Sequence, residues 1–177
     1  VIGGFDSLTD IRLSGYPVII AVGDNQIRKQ LAERIQALNR GFIHAIHPSS
    51  QISRDVMIGL GTVIMANVAV NPGSHIGAHA ILNTGASIDH DCTIGDFVHI
   101  SPAAVLAGNV IVEENTHIGM GSSILPGIKI GANCTIGAGT VVTRDVPSGL
   151  TVVGVPGRPV KFSEFDITSV RSSGYAD

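Results

Sequence analysis

His90 and Asp91 are adjacent, and Gly108 follows His90 by eighteen residues. An imidazole beside a carboxylate can take a proton from an attacking group. The carboxylate, Asp91 or Asp89, holds one ring nitrogen and fixes the tautomer, while the other nitrogen accepts the proton near an unperturbed pKa of about 6.5. A bare glycine against that ring lets an acyl carbonyl approach the backbone and meet an N–H. On their chemistry alone the three could serve acyl transfer onto an amine or hydroxyl, and a solvated corner histidine is the competing reading of His90. A second candidate is Gly23-Asp24-Asn25, which lies where an apolar run gives way to a helical pattern. Helix N-termini at such corners present free N–H groups and positive potential to anionic ligands. His99 and His117 are a further pair, again eighteen apart.

The number eighteen comes from the elements that carry these residues. From Ile52 to Val142 every sixth residue is aliphatic, through Ile58, Ile64, Val70 and onward without a miss. Four residues after each comes a small or β-branched residue, such as Thr62, Ala80, Cys92 or Cys134. Neither the helical period of 3.6 nor the strand period of 2 yields this pattern; a six-residue repeat is the mark of a parallel β-helix. The large and small residues of each pair are two apart and so face the same way, into a narrow interior without room for rings. This agrees with 4% aromatics and no Trp. Gly59, Gly77 and Gly95 recur every eighteen residues, which predicts three sides of six residues per coil. The turn-formers just after each aliphatic are expected to supply the backbone conformation of the corners. Residues one coil apart then stack at about 5 Å, so Gly108 lies against His90 and His117 against His99.

Composition narrows the function. The net charge is −3, so no basic field invites nucleic acid. No apolar run approaches the roughly 20 residues of a membrane span, and Val1-Ile2-Gly3-Gly4 lacks a charged signal-peptide start. Cys92 and Cys134 occupy inward slots and read as buried free thiols of a cytoplasmic protein.

Four segments are predicted. Residues 1–50 form a partial α/β domain: a buried strand over Pro17 to Val22, a helix capped by Asp24 or Asn25 and running to about Asn39 with Ile27, Leu31, Ile35 and Leu38 on one face, and a strand over Phe42 to Ile46 after Gly41. Residues 51–143 form the β-helix, 144–161 a Gly- and Pro-rich seal, and 162–177 a polar tail.

With its uninterrupted hexads and the segment Gly154-Val155-Pro156-Gly157-Arg158, the chain resembles the left-handed β-helix acyltransferases. Ala21-Val22-Gly23-Asp24-Asn25 through Arg28, and Asn83 through Cys92 with His99 and Gly108-Asn109, narrow the resemblance. They look like the sugar acetyltransferases that include sialic acid O-acetyltransferases and UDP-4-amino-sugar N-acetyltransferases. The left hand comes from this resemblance, as does the expectation of a homotrimer with its active sites between subunits. The resemblance implies that His90 is the general base, with Asp91 its support, and that acetyl-CoA is the cosubstrate with no metal involved. It places His99, Gly108, Met120 and Ala138 along the acetyl-CoA groove, to which Gly137 is added, and Arg158 with its turn near the adenine end. The sugar or nucleotide-sugar acceptor is expected against Gly23, Asp24, Asn25, Arg28 and Asn83. The family's opening Gly-rich strand–turn–helix has no counterpart here; Val1 to Asp6 resembles the strand after it.

Two other functions compete. Carbonic anhydrases place zinc on a similar solenoid with paired histidines five apart, but His117 is followed five residues later by Ser122, and Ile81 stands one coil before His99. A non-catalytic scaffold would show a repeated outward motif, whereas the outward positions here are mixed.

Overall fold

Two inward residues per hexad leave a strand no length to grow; the chain must turn after each pair. The computed structural model describes residues 4–9 and 15–160. Between Ala45 and Val142 its strands are two residues long, and from Ala45–Ile46 to Ser123–Ile124 each pairs in parallel with the strand eighteen residues on. Ile81–Leu82 thus pairs with His99–Ile100, and that in turn with His117–Ile118. The pairings sort the strands into three walls. Wall one starts at Ala45–Ile46 and ends in Thr151–Val153 and the antiparallel Arg158–Val160. Wall two runs from Gln51–Ile52 to Val141–Val142, and wall three from Met57–Ile58 to Lys129–Ile130.

The interior follows the predicted pairs. Leu82, Ile88, Ile100 and Leu106 are fully buried beside Ala80, Ala86, Val98 and Ala104. Three of the inward hydroxyls use both of their hydrogen-bonding functions. Thr62, Ser74 and Thr116 each donate to a carbonyl fifteen residues on and accept an N–H eighteen residues on. Cys92 and Cys134 are free buried thiols, and their Sγ atoms contact the carbonyls of Ala107 and Pro147 at 3.2 and 3.1 Å.

The corners differ from expectation. The left-handed backbone falls three residues after each aliphatic, at Gly61, Asn67, Gly73, His79, Gly85, Asp91 and onward. The glycines directly after the aliphatics serve close approach between coils. A Cβ on Gly77 would lie 2.6 Å from the Asp96 nitrogen, and one on Gly95 2.7 Å from that of Glu114.

The N-terminal unit is slighter than the predicted sheet. Its strand–helix–strand order is present, but Val18 and Phe42 make only an isolated parallel bridge. Ala45–Ile46 has already joined wall one through Val63–Ile64, so the coil begins before residue 51. Helix α1 spans Asn25–Gln36, with the Asp24 side chain accepting from the Ile27 N–H at 2.9 Å. It stops short of Asn39, which takes the left-handed conformation that commonly ends helices. The buried face of α1 is Arg28, Ala32 and Ile35, and Ile27 is exposed. The chain over Phe5–Thr9 is a 3-10 helix instead of a strand. Residues 1–3, Lys161 and the predicted tail lie outside the described residues.

Candidate active site

His90 and Asp91 occupy the corner between walls two and three. The left-handed φ of 59° at Asp91 turns its carboxylate back toward the preceding side chain. The His90 Nδ1 stands 2.8 Å from Asp91 Oδ2. A carboxylate accepts, so Nδ1 carries the proton and Nε2 is the free base. Asp89 is not the partner: its Oδ1 accepts from the His90 N–H and from Asn71 Nδ2, both at 2.8 Å. The Asp91 hydrogen bond raises the His90 pKa above its ordinary value, against desolvation and with help from the charge of Asp89. Both side chains of the pair are more than half exposed, at 53% and 59%.

Two glycines make room for this dyad. A Cβ on Gly108 would lie 2.6 Å from His90 Cε1 and Nε2, so the ring rests on bare backbone one coil further along. A Cβ on Gly73 would collide with Asp91 Oδ1. Gly73 was missed in the sequence reading, although it stands eighteen residues before Asp91 just as Gly108 stands eighteen after His90.

A second cluster sits on wall one. The rings of His99 and His117 stack 4.9 Å apart and 5° from parallel. His99 Nδ1 is 3.2 Å from the Gly23 carbonyl, and its Nε2 is 3.2 Å from Asn83 Nδ2. Burial, the neighbouring His117 and the Arg28 charge push the His99 pKa down to about 4, despite the opposing bond to Gly23. His117, stacked on His99 as the eighteen-residue spacing predicts, pairs through Nε2 with Ser101 Oγ at 2.7 Å. On one side of His99 lies a cavity of about 500 Å³ bordered by Gly23, Asp24, Asn25, Asn115 and Thr135. On the other is a smaller one of about 180 Å³ bordered by Val22, Met65, Ile81 and Asn83.

The remaining predicted residues divide. Asp24 caps α1 at the cavity edge, and Asn25 Nδ2 donates to the carbonyls of Asn115 and Thr116. Arg28 does not face a ligand: it is fully buried with its guanidinium bound to the protein. Met120 and Ala138 are exposed one coil apart at the corner between walls one and two. Gly137 lacks a side chain because Val153 Cγ1 packs there, 2.8 Å from where a Cβ would stand. Arg158 lies exposed at the start of the last strand.

These groups do not converge within one chain. The His90 corner, between walls two and three, is the vertex opposite wall one, which carries His99 and Asn83 and lies against Gly23. Among the described residues no three His, Cys, Asp or Glu side chains group so as to hold a metal ion, and no helix is long and apolar enough to cross a membrane.

Residues 109–144 match the family described as bacterial transferase hexapeptide (six repeats). A crystal structure of PerB from Caulobacter crescentus, in complex with CoA and GDP-perosamine, is similar at 41% identity and a TM-score of 0.87, covering 90% of this chain and 77% of that one. The acetyltransferase domain of PglB from Neisseria gonorrhoeae FA1090, in complex with acetyl coenzyme A, is 40% identical with a TM-score of 0.86, covering 90% of this chain and 78% of that one. UDP-N-acetylbacillosamine N-acetyltransferase of Bacillus subtilis (strain 168) is 56% identical over 48 residues, which are 27% of this chain and 22% of that relative's length.

Proposed function

The chain belongs to the hexapeptide-repeat sugar acetyltransferases, built on a left-handed β-helix, and from this we propose that it moves the acetyl group of acetyl-CoA to the amine of a nucleotide-linked amino sugar. The observation that carries the reading is the His90–Asp91 dyad seated on bare Gly108. The CoA, acetyl coenzyme A and GDP-perosamine complexes of its relatives support transfer over zinc-dependent hydration or a passive scaffold.

In the proposed reaction the neutral sugar amine attacks the thioester carbonyl. The C–N bond forms as His90 Nε2 takes the amine proton, and the carbonyl oxygen becomes an oxyanion that the Gly108 N–H meets. Asp91 holds the resulting imidazolium in place. The C–S bond then breaks, and the imidazolium returns the proton to the departing CoA thiolate. No enzyme-bound acetyl group is needed.

The acceptor lies against Gly23, Asp24 and Asn83. The acetyl-CoA arm passes His99 toward Met120 and Ala138, with Arg158 near its nucleotide end. The opposed positions of His90 and wall one support a homotrimer in which one copy supplies the base and its neighbour the groove. Such an enzyme would act in the cytoplasm, on sugars destined for polysaccharide. A thiol-release assay with acetyl-CoA and a panel of nucleotide-linked amino sugars tests the chemistry; no release with any of them sinks it. Mixing His90→Ala with His99→Ala protein after dissociation and reassembly tests the shared site. Activity reappearing from two inactive variants supports it, and none reappearing overturns it.

A further inference from the structure

Arg28 is the largest fully buried side chain in a unit that is otherwise thinly packed. All five of its N–H groups are used. Nε donates to the His79 carbonyl at 2.8 Å, Nη1 to those of Val22 and Gly23 at 3.0 Å, and Nη2 to Asn25 Oδ1 and the Phe97 carbonyl at 2.8 Å. Val22, Gly23 and Asn25 belong to the turn entering α1, while His79 and Phe97 are left-handed corner residues of successive coils. One planar fork therefore fixes the turn to the solenoid. Lysine, with three donors on a single nitrogen, cannot reproduce that geometry. Burial is costly enough to pull the Arg28 pKa down to about 10, despite the raising effect of Asp24.

The Gly23 carbonyl receives two donors, Arg28 Nη1 at 3.0 Å and His99 Nδ1 at 3.2 Å. A carbonyl only accepts, so the His99 proton sits on Nδ1. Its Nε2 lone pair then faces the N–H of Asn83 Nδ2 at 3.2 Å. We infer that Arg28 is a positioning residue: by anchoring the Gly23 carbonyl it holds His99 in the Nδ1–H tautomer and sets the plane of its ring in the groove. The same placement keeps His99 uncharged, since the buried ring faces both His117 and the Arg28 cation. The kinetic consequence rests on the acetyl-transfer reading; the tautomer does not.

Long-range proton–nitrogen NMR of the intact assembly reads the tautomer directly, with His99 assigned by loss of its signals in His99→Asn. The wild type should show a neutral Nδ1–H ring at pH 7. Arg28→Lys keeps the charge but loses the fork, so it should mix the two tautomers of the neutral ring. An unchanged tautomer overturns the inference. In the kinetic arm, Arg28→Lys should lower kcat/KM by about 10- to 100-fold in the wild-type background and have little further effect in His99→Asn. Full additivity of the two substitutions would also overturn it. If Arg28→Lys does not assemble, Asn25→Ala removes one acceptor of the fork and should give a smaller change of the same kind, with no change counting against the inference. Absence of turnover with every acceptor would count against the proposed function alone, since the NMR result does not depend on it.

Discussion

The His90 corner and the docking of the N-terminal unit are built in opposite ways. At the corner nothing is buried to hold the functional groups: His90 and Asp91 are mostly exposed, and the coil spacing alone sets them on Gly108 and Gly73. At the docking surface there is no repeat to set positions. The unit is held by a buried guanidinium, an amide staple from Asn25, and the His79 ring between Phe42 and Phe97. A repeat places groups by counting; a non-repeating attachment needs polar contacts that each specify one geometry.

The largest expected effect is at the counted corner. His90→Ala should lower kcat by about 10²–10⁴-fold while sedimentation and circular dichroism stay unchanged. Next come the glycine seats. Gly108→Ala puts a methyl into the His90 ring and should cost about 10²-fold in kcat/KM through misplacement of the base. Gly73→Ala should act in the same direction by displacing Asp91 and straining a left-handed residue. If either variant matches wild type in steady-state kinetics, period is not what places the dyad.

Smaller effects should separate the two regions by stability. Ile100→Ala, inside the solenoid and fully buried, should cost about 2–5 kcal/mol in urea titrations, whereas Ile27→Ala on the exposed face of α1 should cost less than about 0.5 kcal/mol. The smallest effect concerns acid. Burial and the nearby Arg28 lower the His79 pKa, opposed by Asp96, and His79 Nδ1 is buried without a hydrogen-bond partner. The undocked state thus binds the proton more readily. Docking is fully stabilised above about pH 6.5 and weakens as pH falls from there through the lowered pKa of the docked ring. Hydrogen exchange should show the α1 amides losing protection below that pH before the coil amides do. His79→Phe, at a corner position where Phe97 already shows the ring is tolerated, should abolish the difference.

The regions also differ in how far the sequence revealed them. The hexads disclosed the walls, the inward pairs, the stacking of His99 on His117 and the seat at Gly108, because one number governs all four. They misled at the corners: Gly59, Gly77 and Gly95 were read as turn residues, when the closeness of successive coils demands them. Gly73 followed the same spacing, but in the backward direction from Asp91. The docked unit was legible in order but not in detail. Arg28 looked like a ligand contact because it neighbours Gly23 and Asn25, and no periodicity marks a cation that the fold buries. Nor could linear spacing show that His90 and the wall-one cluster face away from each other, since that depends on which wall each residue joins.

The column from Gln51 to Val142 is without loops between its rungs, so its height is a ruler with a single graduation. Shortening or extending the furrow along it requires whole eighteen-residue increments. One extra amino acid between His90 and Gly108 would rotate everything downstream, turning the aliphatic stuffing outward. Gradual change of shape along the column must therefore come from substitutions at the vertices or the seal, not from stretching of the shaft.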